Sequence, residues 1–129
     1  MDYLGAEDVV WEDSGTEHFS GQVRFGSMHT PDDDADLKVL GVHFDPGART
    51  DWHWHPGGQV LYVTDGAGQV VKDDGSRVRV TAGDTVYTAP GEVHWHGATA
   101  SSHMVHLSLT WNGVTQWEPR KVTDEEFRG

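Results

Sequence analysis

From residue 37 onward, apolar and polar positions alternate with a period of two, the mark of half-buried strands. Leu37 to Phe44 puts Leu40, Val42 and Phe44 on one face and Val39, Gly41 and His43 on the other. Pro46-Gly47 turns the chain. Gln59 to Thr64 is a β-rich run that Asp65-Gly66-Ala67-Gly68 is expected to stop. Gln69 to Lys72 and Arg77 to Val80 flank Asp73-Asp74-Gly75, a hairpin signal, since Asp-Gly tolerates the positive φ of a tight turn. Ala82-Gly83-Asp84 turns again, Thr85 to Thr88 is a short strand, and Ala89-Pro90-Gly91-Glu92 breaks it. His103 to Trp111 is the longest alternating run. One face carries Met104, His106, Ser108 and Thr110, and the other Val105, Leu107, Leu109 and Trp111. Only Thr123 to Arg128 reads as helix: Thr123 with Glu126 forms a capping box, and the leading acids suit the helix dipole. Strands at roughly ten-residue spacing with one terminal helix predict an all-β sandwich or barrel.

The 129 residues make one domain, 1–129, with no linker and no solenoid repeat. Thr30 to Asp36 is a short acidic loop. Cysteine is absent, which removes disulfides, thiolate metal sites and cysteine nucleophiles. No apolar run approaches the roughly 20 residues of a membrane helix. The acidic N-terminus lacks the basic and apolar regions of a signal peptide, so a cytoplasmic protein is expected. Acids outnumber bases 21 to 9, for a net charge of −12, and the first 36 residues hold ten acids and one base, Arg24. Such a chain repels phosphate backbones and anionic lipid, which argues against nucleic acid and membrane partners. The nine histidines and six tryptophans raise the functional question.

The sharpest feature is Trp52-His53-Trp54-His55-Pro56-Gly57-Gly58-Gln59. On an extended strand His53 and His55 face one side while the tryptophans turn away. The Pro-Gly-Gly turn lets Gln59 bring its amide oxygen to the same space. His94-Trp95-His96 repeats the spacing after Pro90-Gly91-Glu92. Neutral imidazoles and a side-chain carbonyl make a nitrogen/oxygen set for a divalent first-row ion, so His53, His55, Gln59 and His94 are the expected metal ligands.

These residues resemble the cupin family. Gly47, His53, His55, Gln59 and Gly66 fit the first cupin motif position by position, with Gln59 where the family usually has Glu. Gly83 through His94 is similar to the second motif, with one extra residue before the proline and Ala98 in place of a frequent Asn. The resemblance is strong over residues 37–111. The GART segment at 47–50, the HxHPxGQ pattern, PGExHWHGA at 90–98 and His106 narrow it to small bacterial manganese cupins, some of which are (R)-selective hydroxynitrile lyases. It implies a single-domain antiparallel β-barrel or jelly roll with a metal in its mouth. Mn(II) is the implied occupant, with Fe(II), Ni(II) or Zn(II) as alternatives. It further implies a homodimer or homotetramer built by exchanging N-terminal strands, for which Gly21 to Phe25 is the candidate.

A Gln in place of Glu leaves the ion's charge uncompensated by protein, making a stronger Lewis acid and favouring non-redox chemistry at a carbonyl or alkoxide. His106 and His96 are the candidates for proton transfer to and from a small-molecule substrate. Leu40, Val42, Phe44 and Thr110 are expected to wall the pocket, with Tyr62 or Tyr87 as neighbours. Trp52, Trp54 and Trp95 are read as packing residues, Arg49 as a salt-bridging surface residue, and His18, His29, His43 and His103 as solvated. The function expected is a lyase-type C–C cleavage, as of a cyanohydrin. The alternatives are a dioxygenase or oxo-acid decarboxylase or isomerase on Fe(II) or Ni(II), and a non-catalytic small-molecule binder.

Overall fold

The computed structural model describes residues 1–129 and turns the alternating runs into twelve strands, with one short α-helix near the end and a single 3-10 turn at Ala6–Asp8. The strands are β1 (Trp11–Asp13), β2 (Phe19–Ser20), β3 (Val23–His29), β4 (Lys38–Phe44), β5 (Arg49–Thr50), β6 (His53–Trp54), β7 (Gln59–Lys72), β8 (Arg77–Thr81), β9 (Thr85–Thr88), β10 (His94–Ala98), β11 (Met104–Thr110) and β12 (Gln116–Trp117). The helix α1 spans Asp124–Arg128. Every pairing is antiparallel. One sheet runs β1-β3-β4-β11-β7-β9. The other runs β8-β7-β10-β5-β2, with β6 on β10 and β12 on β6. No helix is long and apolar enough to cross a membrane.

The two sheets share β7, which corrects the expected stop at Asp65 to Gly68. The strand runs through that segment for 14 residues. Its register against β11 slips there: Val105 lies opposite Asp65 but His106 opposite Val63, leaving Thr64 as the extra residue of a bulge. Gly66 takes φ 76°, and the bend carries β7 from the first sheet into the second. The turn chemistry is present but closes no hairpin, because both halves find partners: β11 and β9 before the bend, β8 and β10 after it.

Alternation then decides what lies inside. Phe44, Val42 and Leu40 of β4 stand opposite Met104, His106 and Ser108 of β11, all pointing inward. Val23, Val42, Phe44, Ala48, Val63, Val80, Ala98 and Met104 form the main core. Tyr62 alternates with buried Leu61 and Val63 and faces solvent, as does Tyr87, so neither neighbours the pocket. Gly21 to Phe25, the expected exchange segment, overlaps β3, which here pairs with β4 of the same chain.

A second cluster, Trp52, Val71, Trp95 and Val122, lies under α1 with Phe127 packed against it. Thr123 caps that helix with the full capping box. Arg49 is a buried strut, not a surface residue: its Nη2 donates to the Val122 carbonyl and to Asp124 Oδ1, each at 2.8 Å, and its guanidinium lies 4.9 Å from the Phe127 ring. It reads as surface from its charge alone, but the returning C-terminus covers it.

The bend should be the intolerant point. A Cβ at Gly66 would overlap the His103 carbonyl oxygen, whereas at Gly83 (φ 95°) it would meet nothing. Gly83→Ala is expected to cost about 1–2 kcal/mol from backbone strain alone. Gly66→Ala should cost clearly more or abolish folding; denaturant midpoints of the two variants check this.

Candidate metal centre

Strand alternation collects the imidazoles. His53 on β6 stands directly opposite His94 at the start of β10, and Trp95 turns outward between His94 and His96. His55 follows β6, Gln59 opens β7, and His106 and Ser108 come from β11. All seven side chains belong to buried residues. Ring centroids of His53 and His94 are 4.4 Å apart, and those of His53 and His55 5.0 Å. His53, His94 and His96 present ligand atoms within 4.8 Å of one another, so three buried histidines could hold a divalent metal ion.

The hydrogen bonds orient the donors. His53 Nδ1 lies 2.8 Å from the Asp51 carbonyl, and His94 Nδ1 lies 2.8 Å from the Glu92 carbonyl. A ring nitrogen facing a carbonyl must carry the proton, so in the neutral rings each Nε2 keeps its lone pair. Gln59 Nε2 donates to Ser108 Oγ at 2.8 Å, which leaves Oε1 facing His94 Nε2 at 3.1 Å. Two lone pairs at that distance repel unless a cation lies between them. Burial holds the His94 pKa below its ordinary value, which disfavours a proton in that role. At that separation both atoms could bind one divalent cation. His55 Nε2 is likewise buried without a partner. The side chains present therefore fit a divalent cation.

Electrostatics agree. Burial, reinforced by repulsion from neighbouring imidazoles, keeps His53 and His96 well below the usual histidine range. Burial lowers His55 and His106 to about 4. Five imidazoles are thus neutral at pH 7, the form that binds metal.

Above the cluster opens a pocket of about 350 Å³. Leu40, Val42 and Thr110 line it, as do His53, His55, Gln59, His96 and His106. Phe44, expected as a wall, is instead fully buried behind the rings, 5.7 Å from His96 and 5.6 Å from His106 by centroid, where it supports them. His94 is buried beneath the lining. His106 Nε2 meets His96 Nδ1 at 3.2 Å, and His106 Nδ1 is buried without a partner. His96 therefore stands both among the candidate ligands and next to His106.

Sequence reasoning missed Ser108, which orients Gln59, and the aromatic walls Phe19, Phe25 and Trp117. Ser108 was legible as the inward neighbour of His106. Phe19 and Trp117 sit on two-residue strands that show no period to read. Trp117 lies 4.8 Å from the His53 ring and stacks on His18 at 4.4 Å, so His18 is not simply solvated. His29 is exposed, His43 lies 3.3 Å from Arg24 Nη2, and His103 pairs with Asp65 at 2.9 Å; none of the three lines the pocket.

A curled antiparallel barrel enclosing one imidazole-rich centre defines the class of protein. Residues 41–110 match the family described as "Cupin domain". The chain is 40% identical over 112 residues to an (R)-mandelonitrile lyase from Granulicella tundricola, covering 85% of this chain and 86% of that one. It is 36% identical, at TM-score 0.85 and 90% coverage of each chain, to the solved structure of a cupin-like protein from Thermotoga maritima. A predicted oxalate decarboxylase from the same organism shares the fold at TM-score 0.76 and 20% identity, covering 86% of this chain and 99% of that one. The chain belongs to the cupin family.

Two outcomes follow from this geometry. Ser108→Ala frees the Gln59 amide to rotate and should weaken divalent-metal affinity about 10- to 100-fold, the usual effect of losing an orienting partner, read by chelator competition. The unfolded chain takes up histidine protons near pH 6.5, whereas folded His55 and His106 resist until about 4. Between those values the unfolded state binds more protons, so stability falls as pH falls, by about 1.4 kcal/mol per pH unit for each group. Thermal unfolding from pH 7 to 4 should show that decline, and added divalent cation should raise the curve most at its neutral end.

Proposed function

We propose that this cupin is a metal-dependent lyase that cleaves the C–C bond of a cyanohydrin, an (R)-mandelonitrile-like α-hydroxynitrile, with Mn(II) held by His53, His55, Gln59 and His94. The observation that carries the reading is an uncharged donor set under an apolar pocket whose lining contains no carboxylate. The 40% identity to an (R)-mandelonitrile lyase supports it. When bound, the cation supplies Lewis acidity that stabilises negative charge developing on the substrate oxygen.

The chain's own residues do the rest. Leu40, Val42, Phe25 and Trp117 give the substrate body an apolar bed and exclude water. His106, neutral at pH 7, receives the hydroxyl proton. The C–C bond then breaks, the carbonyl forms, and cyanide leaves with the electron pair. Cyanide is a far stronger base than an imidazole whose pKa is lowered to about 4, so it takes the proton readily and departs as hydrogen cyanide. His96, 3.2 Å from His106, holds that ring in place and shares its charge while the proton is in transit.

His106→Ala in the Mn-loaded protein should lower aldehyde release from mandelonitrile by about 100-fold or more, the usual contribution of a general base. Wild-type turnover no faster than free Mn(II) would overturn the reading. Fe(II)-dependent oxygen uptake in place of aldehyde release would move the site to the oxygenase alternative.

A further inference from the structure

The strands that carry the metal donors have a second side. Trp52 precedes His53, and Trp95 separates His94 from His96, so each indole emerges behind an imidazole on the same backbone. Both rings border a separate cleft of about 600 Å³ on the outer face of the second sheet, edged by α1. Lys72, Arg77, Arg120 and Arg128 surround it. Four of the nine basic residues of a chain with net charge −12 therefore converge on one concavity.

These cations are poorly neutralised. Arg128 has no carboxylate within ion-pair distance, and neither does Arg77, which donates instead to the Phe127 carbonyl at 3.1 Å, the Glu126 carbonyl at 2.8 Å and the Gln69 side-chain oxygen. Arg120 lies 3.8 Å from Glu126, whose other carboxylate oxygen accepts from the Thr123 N–H, and its guanidinium covers the Trp52 ring at 4.2 Å. Only Lys72 is well paired, with Glu92 at 3.2 Å and Asp74 at 3.7 Å. Asp73 is the remaining acidic side chain on the rim, which Gly129 also lines. Independently of the charges, the indole N–H groups of Trp52 and Trp95 are buried without an acceptor. Guanidinium groups set around a concavity are the chemistry of oxyanion recognition.

We propose that this cleft is a second binding site, distinct from the metal centre, for a divalent oxyanion of the phosphate type, free or carried on a small organic molecule. Arg120 and Arg128 clasp the anion, and Arg77, anchored to α1, supplies the fixed wall. Because the floor is the reverse side of β6 and β10, the occupant sits behind the backbone that positions His53 and His94.

The test is a titration of indole fluorescence in the metal-loaded protein with inorganic phosphate, against KCl at equal ionic strength. Phosphate should give a saturable change that KCl does not. Arg120→Gln/Arg128→Gln should weaken it at least tenfold, while Arg24→Gln, on the first sheet, should leave it unchanged. Arg77 is kept because it holds α1, and melting curves confirm that the double variant is folded. Phenyl phosphate binding tighter than phosphate would identify a carried anion, and equal binding a free one. Absence of saturation in the wild type would overturn the proposal. So would unchanged affinity in the folded double variant, which would place the anion at the metal centre or at Lys38.

Discussion

Two hydrogen bonds of 2.8 Å, from His53 Nδ1 to the Asp51 carbonyl and from His94 Nδ1 to the Glu92 carbonyl, set the character of this molecule's interior. Each ties an imidazole to the carbonyl two residues before it. Each spends the ring's one N–H outward and leaves a lone pair pointing in. Buried polar groups are normally satisfied, and inward-facing acceptors with no protein donor opposite them are suited to a cation. The barrel in this sense offers a place for a charge it does not itself contain. Closing a sheet over five imidazoles would otherwise be a poor use of a core that Val, Phe and Met fill elsewhere.

The bent strand β7 makes this closure geometrically consistent. Its first residue, Gln59, brings the amide oxygen to His94, and its far half pairs with β10, which carries His94 and His96. One strand therefore holds a donor and also fixes the register of the strand bearing two others. The bulge at Thr64 and the positive φ of Gly66 allow both, because an unbent strand would keep its pairing in a single sheet.

Much of this was legible beforehand where periodicity and special residues coincide. The inward faces of β4 and β11, the HxH spacing, the turn that returns Gln59 and the capping box at Thr123 are all local patterns whose physics acts over a few residues. What failed was long-range. Asp65 to Gly68 has the composition of a turn, and nothing local says that partners on both sides will keep it extended. Phe44 shares a face with Leu40 and Val42, but depth along the barrel separates a wall from a floor, and alternation does not encode depth. Arg49 is charged and so reads as surface until the C-terminus folds over it. Phe19 and Trp117 reach the pocket from strands too short to carry any pattern.

Charge is distributed against this frame with a consistent logic. The candidate metal donors are neutral, the pocket lining carries one cation, Lys38, and no anion, and most acids lie on the exterior, the buried exception being Asp51, which pairs with Lys121 at 3.2 Å. In the proposed lyase reaction, a glutamate at position 59 would neutralise part of a bound ion's charge at the point where substrate oxygen is to be stabilised. A glutamine keeps the full charge available and surrenders some metal affinity in return. Ser108 makes that exchange workable: an amide, unlike a carboxylate, has a wrong way round, and the hydrogen bond from Gln59 Nε2 removes it. The same alternation that drives imidazoles inward pushes Trp52 and Trp95 out beneath four basic side chains. A β-strand has two faces, and here each faces a site suited to opposite charge, a cation inside and an anion behind it.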